Sequence, residues 1–193
     1  MAERHSSGLE QFVSALRELS APKILDLSGA NQSNLDFLSR YGSPTSDEFA
    51  SAMSAAFGND ADMFARQSDP LQVETFCRMS LNFSPETFDG ILVWDRLEYA
   101  GPELLGDTIA HLFEIARPGS LLLCYFHADP ISKTVPVTQY KIIDAKTIHP
   151  VQRETQRPTQ FHSNRAIERM FQNFQTVKFF LTRDHIREVI VRR

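Results

Sequence analysis

Asp26 sits inside the apolar run 24–27, where an unpaired carboxylate is costly to bury. Its charge must be met by the turn that follows or by a ligand. Trp94, Asp95 and Tyr99 fall at the end of a second apolar run, 90–94, and just beyond it. Their rings could stack on a cofactor or substrate, although large aromatics at such positions also serve as packing groups. His127 and Asp129 follow a third run, 120–126. An imidazole beside a carboxylate makes a general base and its orienter, and the bland alternative is a polar surface turn. The spacing of His127, His149 and His162 matches no compact ligand motif, so no metal site is expected. No nucleophile elbow, phosphate loop or Cys-x-x-Cys pair is present.

These residues need elements to position them. Ser7 and Glu10 have capping-box spacing, and Leu9, Phe12, Val13 and Leu16 then recur on one helical face. Pro22 stops that helix, and 24–27 reads as a short strand buried on both faces. A tight turn follows, and Leu35, Phe37 and Leu38 mark a helix that ends near Gly42. Residues 43–46 are expected to be a weak second strand. Asp47 can cap a helix carrying Phe49, Met53, Ala56 and Phe57 on one stripe, and 59–70 reads as polar loop that could hold one helical turn around Met63. The run 73–79 is expected to be a strand, and 84–87 a turn before the strong strand 90–94.

Pro102 suits a first helical turn, and Leu105, Ile109, Leu112, Phe113 and Ala116 make the apolar stripe of the helix it opens. Arg117, Pro118 and Gly119 then turn the chain into the strand 120–126. Strand, helix and strand in this order predict a right-handed parallel crossover. Residues 128–161 hold four prolines and little periodicity and read as an inserted flap, within which 137–143 could be a strand. Lys133, Lys141, Lys146, Arg153 and Arg157 make the flap slightly basic, as a solvated lid would be. Ser163 caps a last helix, and the strands 176–182 and 186–191, with three residues between them, must pair antiparallel.

The totals bound the function. A chain of 193 residues with 42% hydrophobic and 23% charged residues suits one domain, 1–193. A formal net charge of -4 without single-sign blocks gives no nucleic-acid or membrane-binding surface. Cys77 and Cys124 lie in apolar surroundings and read as reduced thiols, no run is long enough to span a bilayer, and a cytoplasmic protein is expected.

An α/β, doubly wound, mostly parallel sheet that closes with an antiparallel hairpin resembles the class I S-adenosylmethionine-dependent methyltransferases. Residues 24–32, Ile-Leu-Asp-Leu-Ser-Gly-Ala-Asn-Gln, stand where that family has hydrophobic-Leu-Asp-x-Gly-x-Gly-x-Gly, so its three glycines fall on Ser28, Ala30 and Gln32. Residues 81–89, Leu-Asn-Phe-Ser-Pro-Glu-Thr-Phe-Asp, with the strand 90–94 and the segment Leu97-Glu98-Tyr99, are similar to its Leu-Pro-Phe-x-x-x-x-Phe-Asp, strand and Leu-Glu-His. Arg117-Pro118-Gly119 matches a shortened Arg-x-Leu-x-Pro-Gly-Gly turn.

The resemblance implies S-adenosylmethionine as cofactor and a small molecule as methyl acceptor. It places Asp26 near the methionine moiety, with the backbone of Ser28, Gly29 and Ala30 approaching the cofactor in the turn. Asp47 and Glu48 are the acids nearest the family's ribose-binding position. Cys77, Arg78, Met79 and Ser80 occupy the region that usually carries an adenine-contacting acid. Trp94 and Asp95 would face the cofactor, and Tyr99 and His127 the substrate. Side chains at the glycine positions resist close backbone approach, which favours an alternative: a catalytically inactive methyltransferase fold acting as a binding or assembly module. A nicotinamide dehydrogenase fits less well, because its Gly-x-Gly-x-x-Gly turn is missing.

Overall fold

The computed structural model describes residues 2–128, 134–182 and 185–193, apart from the side chain of Glu154. The chain begins with β1 (Arg4–His5), α1 (Ser7–Arg17), β2 (Lys23–Asp26), α2 (Gln32–Leu38) and β3 (Ser43–Ser46). It continues through α3 (Phe49–Phe57), α4 (Met63–Arg66), α5 (Pro70–Met79), β4 (Phe88–Trp94), a 3-10 turn (Arg96–Tyr99) and α6 (Pro102–Ile115). The remainder is β5 (Ala116–His127), β6 (Thr134–Asp144), β7 (Thr147–Pro158), α7 (Asn164–Met170), β8 (Thr176–Leu181) and β9 (Ile186–Arg192).

Among the described residues the strands form two sheets. A six-stranded sheet runs β3-β2-β4-β5-β9-β8, and a three-stranded sheet runs β1-β7-β6. β3, β2, β4 and β5 are parallel, whereas β9 runs antiparallel to both β5 and β8. The expected architecture is therefore present: a mostly parallel α/β sheet closed by an antiparallel hairpin. Ile24 and Leu25 are fully buried on opposite faces of β2, as two-sided coverage requires.

α1 and α2 pack on one face with the hairpin β6–β7, in a core that includes Phe12, Ile24, Leu38, Trp94, Tyr140 and Ile148. α3, α5, α6 and α7 cover the other, around Met53, Phe76, Ile91, Leu112, Phe126 and Phe171. Close packing leaves little space between layers: a Cβ on Gly90 would stand 2.7 Å from the Phe12 ring.

Four expectations need correction. The cap of α1 is Ser6, whose Oγ accepts the Leu9 amide at 3.1 Å, so the capping box on Ser7 does not form. Residues 73–79 belong to helix α5 and not to a strand. Asp69 caps that helix by accepting the Leu71 amide, Pro70 fills its first turn, and Val73, Phe76 and Cys77 face the core at helical spacing. Arg117, Pro118 and Gly119 do not separate α6 from its strand. α6 leads directly into β5, and these residues bulge within it, where the β4 register slips between Phe88 and Gly90.

The last correction concerns residues 128–161. The described part is a long antiparallel hairpin and not a solvated lid, with Tyr140, Ile142 and Ile148 buried in the core. β1 extends it by pairing Arg4 with Ile148 and His5 with Thr147.

Candidate functional site

The carboxyl ends of parallel strands and the helix N-termini that follow them are where open α/β sheets bind ligands. Here β2 ends on Asp26 and β4 on Trp94, and the two side chains meet. Trp94 Nε1 donates to Asp26 Oδ1 at 2.7 Å, and the Ser28 amide donates to the same oxygen at 2.9 Å. Asn34 Nδ2 donates to the other oxygen at 2.9 Å. Asp26 thus caps its own turn and is also held by two side chains from elsewhere. Burial raises its pKa above the ordinary carboxylate value, and the three donors act in the opposite direction.

Trp94 takes part at a backbone cost. Its φ is 58°, a left-handed conformation that bulky residues rarely adopt. The indole is fully buried, stacks on Tyr140 at 5.1 Å and 9°, and meets Tyr125 edge-on at 5.3 Å. These contacts and the bond to Asp26 offset the strain.

In the turn itself Gly29 has φ +85°, and the Glu48 carboxylate closes over it. The Ala30 amide donates to Glu48 Oε1 at 2.6 Å, and a Cβ on Gly29 would lie 3.0 Å from Oε2. Asp47 follows β3, its amide donating to the Asp26 carbonyl at 2.9 Å. Its carboxyl is half-buried, which raises its pKa. The turn is thus flanked by the two acids nearest to the position the resemblance assigns to a ribose contact.

Asp95 and Tyr99 form a second cluster. Asp95 Oδ2 accepts the hydroxyls of Tyr99 at 2.8 Å and Tyr140 at 3.2 Å, and its Oδ1 accepts Arg96 Nη1 at 3.0 Å. Arg96 is almost wholly buried. Its Nε donates to the Leu27 carbonyl at 3.1 Å and its Nη2 to the Thr138 carbonyl at 3.3 Å, so it spans from the turn after β2 to the hairpin. Arg157, also buried, lies 5.0 Å over the Tyr99 ring and donates to Asn59 Oδ1 at 2.9 Å. Burial pushes the Tyr99 and Tyr140 phenols well above their ordinary pKa and lowers that of Arg157.

His127 ends β5. Its partner is Glu98 on the 3-10 turn, while Asp129 lies outside the described residues. The buried Glu98 carboxylate accepts the His127 amide at 2.6 Å and lies 2.7 Å from Nδ1. Burial raises the Glu98 pKa, and its bonds to His127 oppose that shift. A carboxylate on Nδ1 orients an imidazole as a general base requires.

Three residues of this region escaped the sequence reading, Asn34, Arg96 and Tyr140, while Glu98 entered only within its motif and Arg157 as part of a solvated lid, although it is 2% exposed. Asn34 is the most consequential. It is fully buried on α2, and besides bonding Asp26 it donates to the Tyr140 carbonyl at 3.0 Å and accepts the Ile142 amide at 2.8 Å. With Arg96 and with Asn31, whose Nδ2 also donates to the Tyr140 carbonyl at 3.4 Å, this amide ties the hairpin to the end of β2. A polar residue on the otherwise apolar face of Phe37 and Leu38 was the available signal. Among the described residues no group of three His, Cys, Asp or Glu side chains could hold a metal ion, and no helix is long and apolar enough to cross a membrane.

No protein-family model matches the chain, and no curated protein matches it in sequence. Solved structures do match in shape. A 1,6-didemethyltoxoflavin-N1-methyltransferase from Burkholderia thailandensis, solved with 1,6-didemethyltoxoflavin and S-adenosylhomocysteine, superposes with TM-score 0.53 at 10% identity, covering 97% of this chain and 79% of that one. An S-adenosylmethionine-dependent methyltransferase from Archaeoglobus fulgidus gives TM-score 0.55 at 9% identity, with 96% and 91% covered. One from Methanosarcina mazei gives 0.51 at 15% identity, with 91% and 93% covered. Strand order, the closing hairpin and these superpositions agree that this chain has the fold of the class I S-adenosylmethionine-dependent methyltransferases.

Proposed function

We infer that this chain keeps the methyltransferase fold and has given its cofactor crevice over to its own side chains, so that it works as a binding or assembly module without methyl transfer. The carrying observation is the network that joins Asp26, Trp94, Asn34 and the hairpin. Both Asp26 oxygens are engaged from within the protein, and strand β6 is bonded across the mouth of the turn. Occupancy supports the same reading. The buried Arg96 side chain, ion-paired with Asp95, stands on the Leu27 carbonyl beside the turn that would receive the methionine end of S-adenosylmethionine. Ser28, Ala30 and Gln32 at the glycine positions add a third reason.

A second reading is a methyltransferase acting on a small molecule, and the Glu98–His127 pair favours it. Such a pair at the carboxyl edge of the sheet could take the proton from a methyl acceptor, with positioning supplying most of the remaining rate.

Thermal unfolding with S-adenosylmethionine and S-adenosylhomocysteine up to millimolar concentration separates the two. A ligand that binds only the native state at about 100 times its Kd adds about 2.7 kcal/mol of stability. The module reading expects no rise in the unfolding midpoint and no calorimetric heat. A saturable rise that Asp26→Ala removes overturns it in favour of the enzyme.

A further inference from the structure

Among the described residues the two sheets end on four edge strands, and three of these are guarded. β3 is four residues long and contains Pro44, and β1 is two residues long. On β6 the outward backbone is taken up by side chains: Asn34 accepts the Ile142 amide and donates to the Tyr140 carbonyl, and Arg96 donates to the Thr138 carbonyl. β8 has none of these protections. It runs six residues without proline, and its single charged residue, Lys178, is engaged on the sheet face. Its Nζ donates to Gln11 of α1 at 3.0 Å and lies 4.8 Å over the Phe180 ring.

The register of the closing hairpin defines the free side of β8. The Thr182 amide donates to the carbonyl of Ile186, directly opposite, and such bonded pairs recur at every second residue of an antiparallel ladder. Thr176, Lys178 and Phe180 therefore bond β9, and the amides and carbonyls of Val177, Phe179 and Leu181 point to the open edge. No described residue bonds them. Their surroundings are apolar. Val177 and Phe179 rest against the core on the α6 face, Phe180 against the core on the α1 face, and Leu181 is 73% exposed. An edge of this kind is a template for another strand.

The side chains indicate which strand. Residues 176–182 read Thr-Val-Lys-Phe-Phe-Leu-Thr, close to a palindrome about Phe179. A two-fold contact sets each residue against its symmetric counterpart, so a strand that complements itself suits a second copy of the same chain. Antiparallel pairing centred on Phe179 sets Thr176 against Thr182, Val177 against Leu181 and Phe179 against itself. Lys178 then faces Phe180, the ring it already covers within its own chain, and no charge meets its like. Moving the centre to Lys178 would oppose two ammonium groups, which disfavours that register.

We propose that β8 pairs antiparallel with β8 of a second copy of this chain, centred on Phe179, through the outward amides and carbonyls of Val177, Phe179 and Leu181. Two six-stranded sheets then become one continuous sheet, a width that open α/β sheets reach. β8 lies at the end of the sheet away from β2, so the pairing does not depend on whether the crevice at Asp26 takes a cofactor.

Sedimentation velocity of the full chain over about 1–100 μM tests the pairing, and a concentration-dependent monomer–dimer equilibrium is expected. Leu181→Lys places a charge at the edge, as guarded edge strands do, and should raise the dimer Kd at least about tenfold. Because Leu181 is 73% exposed, the dilute variant should keep the circular dichroism spectrum of the parent. Under mild oxidation, Val177→Cys and Leu181→Cys combined in one chain should give a covalent dimer, since bonded antiparallel positions stand about 5.5 Å apart between Cα atoms. Leu181→Cys alone should not, its two copies being about 14 Å apart along the strands. The native Cys77 and Cys124 are buried and stay out of this reaction. The proposal is overturned by a monomer throughout the concentration range, which would leave the edge to an extended segment of another protein. A dimer of undiminished affinity in Leu181→Lys also overturns it, as does equal crosslinking by Leu181→Cys alone.

Discussion

Replacing Asn34 by alanine should uncouple the hairpin from the sheet. The change removes the side-chain partner of Asp26 Oδ2 and of the Ile142 amide and the shorter of two bonds to the Tyr140 carbonyl, which keeps Asn31 Nδ2 at 3.4 Å, all buried. A buried polar group left without its bond costs about 1–3 kcal/mol, and water admitted to the small void recovers part of that. The three together come to about 3–5 kcal/mol, a large share of the roughly 5–15 kcal/mol that holds a domain folded. At roughly 2–4 °C per kcal/mol for a chain of this size, the midpoint should fall by about 6–20 °C. Trp94 is the only tryptophan and is stacked on Tyr140, so its emission follows both the hairpin and global unfolding. Urea titration by this signal gives the free energy, and amide exchange over 134–158 shows whether the hairpin opens first. A loss below about 1 kcal/mol with hairpin protection intact would refute the claim that Asn34 is a main tie.

Two further outcomes follow from the same cluster. Trp94→Phe preserves a ring against Tyr140 but removes the donor to Asp26 Oδ1, and urea unfolding followed by circular dichroism should show a loss of about 1.5–3 kcal/mol. The pH dependence has a definite sign. Asp26 and Glu98 have folded pKa values raised above their ordinary 3.8 and 4.5, so the folded state holds these protons more tightly than the unfolded state. Their contribution is fully present below those ordinary values and is lost as pH rises through the raised ones. Glu98→Gln, which mimics the protonated acid, should therefore gain stability relative to the parent as pH rises from about 4 toward neutrality. A constant difference across that range would remove Glu98 as a contributor.

Much of the frame was legible because it is local. The buried strands β2, β4 and β5 each hold a short apolar run, α6 shows its stripe and its opening proline, and the four residues between β8 and β9 leave no choice but antiparallel pairing. α5 was missed because 73–79 was read as a short apolar run, although Val73, Phe76 and Cys77 stand at helical spacing. The Asp69–Pro70 start was the deciding signal. Asp26 could be singled out as needing partners, but its donors lie 8 and 68 residues away in sequence. Register between the hairpin and α2 rests on the side-chain amides of Asn34 and Asn31, and nothing local to Tyr140 or Ile142 announces it. The Glu98–His127 pair was half visible: the imidazole was flagged, and its carboxylate proved to come from the turn after β4.

The anchoring of α1 has a consequence for how the chain is made. The Gly8 amide and Arg4 both bond the fully buried Glu188, and Ser6 Oγ meets the Tyr125 hydroxyl at 2.9 Å. Gly8 and its acceptor are 180 residues apart. At about 5–20 residues per second, a ribosome needs roughly 10–40 s to supply that carboxylate. Throughout that interval Leu9, Phe12 and Val13 have no complete β5–β9 surface to close upon. The first helix of this chain is therefore among the last to be secured, and its apolar stripe is the surface that a nascent-chain chaperone would meet.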